Sequence, residues 1–142
     1  MARDKPDYYY KQSAVIPVHR KGDGWEVLLI TSRKKKRWIV PKGIVEKNYT
    51  PADSAAKEAL EEAGILGKPY SQAIGKYRYK KWGGVCSVEV FVMIVDRELD
   101  KWLESHRHRR WVSLGKATKL VEESGLRKIL GRLEEYMAKN HV

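Results

Sequence analysis

The sequence predicts an α/β fold built on a mixed sheet, and three observations predict it. Apolar runs of strand length recur along most of the chain, a helix with an explicit start and stop sits near the middle, and apolar residues at helical spacing fill the C-terminal region. In order, SAVIPVH (13–19) and WEVLLIT (25–31) are rich in Val and Ile, and the KGDG turn (21–24) between them makes an antiparallel hairpin. RWIV (37–40) reads as a further strand. TPADSAAKEALEE (50–62) reads as a helix, because Thr50 is an N-cap, Pro51 suits the first helical position, Asp53 takes the capping-box position and Gly64 is a stop. KYRYKKWGG (76–84) is a strand running into a Gly-Gly turn, followed by VCSVEVFVMIVD (85–96). The last region, ATKLVEES (117–124) and GLRKILGRLEEYMAKN (125–140), places Leu126, Ile129, Leu130, Leu133 and Met137 at core-facing intervals of a second helical region.

No repeat, low-complexity tract or linker divides the chain, and 142 residues with 42% hydrophobic content suit one domain spanning 1–142 with one core. Against 18 acidic residues stand 29 Lys and Arg, a formal net charge of +11. Such a field suits nucleic acid, an anionic membrane surface or a small polyanionic substrate; no RNA-binding motif supports the first. Cys86 is the single cysteine, so no intrachain disulfide forms, and its place in an apolar run marks a core residue in a reducing compartment. No apolar run approaches bilayer length, so the expectation is a cytoplasmic protein without a membrane partner. The sequence carries no signal for oligomeric state.

The stretch KEALEEAG (57–64) sets Glu58, Glu61 and Glu62 within two helical turns, on one face. Each like-charge pair at that spacing costs an isolated helix roughly 0.2–0.5 kcal/mol, and the acids lie at the helix end that already carries partial negative charge. A cation is therefore expected beside them. Alone, such a run reads as a solvated helix face. Converging carboxylates also make a site for a hard divalent cation, Mg²⁺ with Mn²⁺ as the alternative, whose remaining positions take waters and substrate phosphates.

GIVEKNYTPADSAAKEALEEAGI (43–65) resembles the Nudix box of the Nudix hydrolases. Gly43, Glu58, Glu61, Glu62, Gly64 and Ile65 match at the box spacing, while Tyr49 stands for its first Glu and Lys57 for its Arg. The flanks VLLITSRKKKRWIVPKG and DKWLESHRHRRWVSL are similar to the diphosphoinositol polyphosphate phosphohydrolase branch. The resemblance implies an α/β/α sandwich with a mixed sheet and metal-dependent hydrolysis of a phosphoanhydride in a phosphate-rich small molecule. It further implies Glu58, Glu61 and Glu62 as metal ligands, assisted by the Gly43 carbonyl, and a general base among the box glutamates or a later acid. Glu89, which interrupts an apolar strand, is the later candidate. Ser32, Arg33 and Lys42 are implicated in substrate binding, with Lys11, Arg37 and Arg78 as further candidates.

HRHRR (106–110) reads as a phosphate-holding basic loop, since two His without acid or Cys partners are weak evidence for zinc. A Tyr49 hydroxyl accepting from Lys57 is the expected replacement for the family's Glu–Arg brace. Two other readings stay open: an oxidised-nucleotide or RNA 5′-end pyrophosphohydrolase using Trp82, Tyr77 and Tyr79 as a base slot, and an anion-binding module impaired in catalysis.

Overall fold

The computed structural model describes residues 3–140. Two long strands organise it: β1 (Lys11–Lys21) runs parallel to β7 (Gly84–Glu98), in register from Lys11 opposite Ser87 to Val18 opposite Ile94. On its other side β1 is shared. Its first part pairs with β4 (Lys42–Ile44) and its last with β2 (Gly24–Thr31), both antiparallel. β7 is divided likewise between β6 (Gly75–Lys81) and β5 (Ile65–Pro69). β3 (Trp38–Ile39) and β8 (Arg109–Ser113) complete the sheet on β2. The sheet is mixed, as expected.

Alternation along β1 and β7 sends side chains to two cores. Val15, Leu28, Ile30, Phe91 and Met93 pack under α1 (Pro51–Ala63), whose own contribution is the small residues Ala55, Ala59 and Ala63. On the opposite face Ala14, Ile16, Val88 and Val90 meet α2 (Leu114–Leu120), α3 (Ser124–Leu130) and α4 (Leu133–Asn140). Leu126, Ile129, Leu130, Leu133 and Met137 are all buried there, as their spacing predicts. The layers are α/β/α. No helix among the described residues is long and apolar enough to cross a membrane.

Three short strands escape the sequence reading: β4, β5 and β8. The C-terminal helical region is also more broken than its periodicity suggests, with Gly131 following α3 and α4 beginning at Leu133. RWIV contributes only two residues of strand.

Candidate active site

Both ends of α1 are fixed by specific bonds. Thr50 Oγ1 accepts the Asp53 N–H at 3.1 Å, and Pro51 begins the helix as its fixed φ favours. At the other end Gly64 takes φ 65°, where a Cβ would also lie 2.8 Å from the Trp102 side chain. The segment after β7 wraps this end and meets its free carbonyls in turn. Glu104 N–H donates to Glu61 O at 2.9 Å, Trp102 Nε1 to Glu62 O at 3.0 Å, Arg109 Nη1 to Ala63 O at 2.8 Å and Leu99 N–H to Gly64 O at 2.8 Å.

The cation expected at the acidic helix end is therefore arginine. Arg109 binds carbonyls there and lies 4.0 Å over the Trp102 ring, while buried Arg107 pairs with Glu104 at 2.8 Å and donates to Thr31 O at 3.1 Å. Two arginines of HRHRR are thus committed to the protein's own oxygens, while His108 and Arg110 line a cavity with Lys35, Lys36 and Arg37.

With the helix end held, the three acids separate in role. Glu58 lies directly over Gly43, where an added Cβ would sit 2.5 Å from its carboxyl. Glu62 is buried, accepts the Lys42 N–H at 3.3 Å and lies beside Glu58, close enough for the two carboxyls to share a proton. Burial raises the Glu62 carboxyl to about 8, with Arg107 opposing and Glu58 adding to the rise. Burial likewise raises Glu58. Glu61 turns instead to Lys57, 2.8 Å away. Among the described residues no three acid, His or Cys side chains form a ready-made cluster. The donors that do converge fit a hard divalent cation: two carboxyls sharing a proton can exchange it for a cation, and their oxygens are the ligand type Mg²⁺ takes.

Lys57 also reaches Glu46 at 3.0 Å, and Ser54 Oγ accepts the Glu46 N–H at 3.0 Å. The brace between loop and helix is thus Glu46–Lys57. Tyr49, 42% exposed, makes no side-chain hydrogen bond to Lys57 among the described residues, which corrects the predicted pair. Asn48, at φ 71°, turns the chain between the two positions.

Cations gather on both faces of the sheet. Lys42 points away from α1: its Nζ donates to Tyr79 Oη at 2.9 Å and to Gln12 Oε1 at 3.3 Å. Burial lowers its pKa, and Lys81 lowers it further. It lines a cavity of about 300 Å³ with Arg37, Trp38, Tyr77, Tyr79 and Lys81. Trp82 lies outside this lining, at φ 53° in the β6–β7 turn, whereas Trp38 lines it beside Tyr77 and Tyr79.

Ser32 does not face the cavity; its Oγ accepts the N–H groups of Lys36 and Arg37 at 3.3 Å each and shapes the basic turn, on which Arg33 is exposed. On the α1 face, strand pairing aligns Gly43, Ser13, Glu89 and Lys76 in one row, with Lys11, Ser87 and Arg78 in the next. Glu89, half-buried, thus shares a face with Glu58. Sequence reasoning missed Glu46, Trp102, Glu104 and the anchoring roles of Arg107 and Arg109. Only the unmet negative helix end pointed toward the last two.

Residues 10–133 match the family model described as NUDIX domain. Nudix hydrolase 21, chloroplastic, of Arabidopsis thaliana is 36% identical over 129 residues, covering 86% of this chain and 65% of the relative. Diphosphoinositol polyphosphate phosphohydrolase 3-beta of Bos taurus is 28% identical over 120 residues, covering 82% of this chain and 72% of the relative. The chain spans 55–65% of the length of the first three curated relatives it matches. In fold, a C. elegans Ap4A hydrolase binary complex superposes with a TM-score of 0.79 at 21% identity, over 92% of this chain and 98% of that one.

Proposed function

Because the chain belongs to the NUDIX domain family, we propose that it is a metal-dependent hydrolase of phosphoanhydride bonds in a polyphosphorylated small molecule. The observation that supports this most is the Glu58–Glu62 pair over Gly43, two adjacent carboxyls whose charged forms burial disfavours, an effect that Arg107 beside Glu62 and Lys57 beside Glu58 offset only in part. A divalent cation bound there, Mg²⁺ or Mn²⁺, supplies positive charge to the phosphoryl oxygens and acidifies a water. Glu58 and Glu62 hold it with the Gly43 carbonyl, and Glu61 serves through its pair with Lys57 as much as through its own oxygens. Glu89, on the same face, is the general-base candidate. Lys42 and Arg37 in the cavity, and Lys11 and Arg78 on the α1 face, neutralise phosphates by charge and by fork-like hydrogen bonds. Ser32 acts indirectly, by holding the turn that presents Arg33 and Arg37.

Two substrate types suit these cations, a diphosphoinositol polyphosphate and a dinucleoside polyphosphate. Trp38, Tyr77 and Tyr79 in the cavity wall favour the second, because a planar base gains stacking there and an inositol ring does not. The intact brace on Lys57 favours hydrolysis over an impaired binding module. Purified protein with Mg²⁺ or Mn²⁺ should be tested against diphosphoinositol, dinucleoside and nucleoside polyphosphates, and against RNA 5′ ends, with products identified. Turnover of a polyphosphate supports the reading; binding without turnover in every arm, with either metal, rejects it.

A further inference from the structure

The cavity that Lys42 lines carries both signs of charge. Lys81 and Arg37 line it too, and both act on the Lys42 ammonium. Glu122 and Glu123 belong to the same wall. Main-chain pairing sets their place: Val121 bridges to Trp38 in parallel, and the Arg127 guanidinium donates to Val121 O at 2.7 and 3.1 Å. The segment entering α3 is thereby held beside Trp38. Glu123 is committed there, since its Oε1 accepts the Gly125 N–H at 3.0 Å. Glu122 is exposed and makes no hydrogen bond or ion pair among the described residues, although four cations, Arg37, Lys42, Lys80 and Lys81, line the cavity with it. Its carboxylate therefore stands apart from them, free to accept from a ligand.

The cavity has room for one. Its volume of about 300 Å³ lies at the lower end of the range for small-molecule sites, enough for a planar heterocycle against Trp38, Tyr77 and Tyr79. The ligand that fits has phosphates for the cations, a flat ring for the aromatic wall and donors for a carboxylate, which only accepts. Guanine meets the last condition twice, because its N1–H and N2 amino group are adjacent donors that match the two oxygens of one carboxylate. Hypoxanthine offers one such donor. Adenine sets an acceptor beside its amino group, and uracil flanks its N–H with two carbonyls. An inositol polyphosphate is anionic all round and is repelled at the acid.

We propose that Glu122 is a specificity-determining residue that selects guanine, accepting from N1–H and the N2 amino group while the ring lies against the aromatic wall and the phosphates reach the cations around Lys42. This rests on the dinucleoside polyphosphate reading and names its base.

Nucleoside monophosphates test the assignment apart from hydrolysis, because they contain no anhydride bond. In titration calorimetry GMP should bind roughly tenfold tighter than AMP, with IMP between them and UMP weakest. Glu122→Gln should keep the wild-type melting temperature, since the side chain holds nothing within the protein. It should lose most of the GMP preference and bind AMP as well or better, because a carboxamide suits adenine's paired donor and acceptor. If the carboxylate acts only through its charge, the variant tightens all four nucleotides alike, and that overturns the proposal. So does equal binding of GMP and AMP by the wild type, or no binding of GMP at millimolar concentration. In turnover, diguanosine tetraphosphate should exceed diadenosine tetraphosphate in kcat/KM by a similar factor, and the variant should lose the difference. If neither is hydrolysed while the GMP preference and its loss in Glu122→Gln are both seen, the hydrolase reading fails and the role of Glu122 stands. Equal turnover of the two, with no GMP preference, removes that role and leaves the hydrolase reading intact.

Discussion

The Lys57 ammonium lies 3.0 Å from the Glu46 carboxylate, so the helix is tied to the loop before it by an acid that precedes the box position held by Tyr49. The same ammonium bonds Glu61 at 2.8 Å, and both acids hold its pKa well above the usual lysine value.

A double-mutant cycle on Glu46→Gln and Lys57→Met should therefore show coupling of about 0.2–1 kcal/mol in denaturant unfolding, reduced by salt, as for partly exposed pairs. Tyr49→Phe should change stability by less than about 0.5 kcal/mol. A large effect of the phenylalanine variant, with additive Glu46 and Lys57 changes, would restore the tyrosine brace.

Metal binding should rank the acids by their geometry. Mg²⁺ or Mn²⁺ at about 100 times its Kd should stabilise the fold by roughly 2.7 kcal/mol through mass action. Glu58→Gln and Glu62→Gln should each weaken affinity tenfold or more, and Glu61→Gln less than threefold, because Glu61 is already paired with Lys57. Titration calorimetry reads the order directly; equal losses at all three positions contradict it.

The pH dependence without metal follows from Glu62, whose folded pKa is raised to about 8 by burial. The folded protein then binds more protons than the unfolded chain between the ordinary carboxylate range and pH 8, so stability falls as pH rises through that window and levels off above it. Glu62→Gln should flatten the slope and be the more stable form at pH 8. Urea unfolding in EDTA between pH 5 and 8.5 measures this.

Gly43→Ala puts a Cβ 2.5 Å from the Glu58 carboxyl, so that side chain must move. Divalent-metal affinity should drop at least tenfold while the fold persists. Wild-type affinity in this variant removes Glu58 from the metal site.

Arg109→Ala removes bonds to the Ala63 and Leu99 carbonyls at the covered end of α1 and should cost about 2–3 kcal/mol. Arg109→Lys should not restore it, since an ammonium lacks the planar fork. Thermal unfolding of both variants checks this.

The helix that bears the acids was legible because its caps are local: Thr50, Pro51 and Gly64 act within a turn of where they stand. The short strands were not, because each exists through its neighbour. β5 contains Gly67, where a Cβ would meet Ile94 O at 2.2 Å, so its glycine records a close strand approach that only the sheet reveals. β8 is basic at Arg109 and Arg110 and pairs along β2 without a strong apolar run of its own. In the site, residue spacing located Glu58, Glu61 and Glu62 but could not tell that Glu61 faces Lys57, nor that a turn at Asn48 gives Glu46 the place expected of Tyr49.

The parallel pairing of β1 with β7 joins residues far apart in sequence, Lys11 with Ser87 and Val18 with Ile94. Such non-local contacts slow folding, because a long loop must close before any of them is rewarded. The box from Gly43 to Ile65 is contiguous and can form its helix early. The row Gly43–Ser13–Glu89–Lys76 cannot exist until β7 has been synthesised and docked. A nascent chain that has emerged only through the box therefore carries its acids before the strands that surround them are in place, and those surroundings are completed by one late topological step.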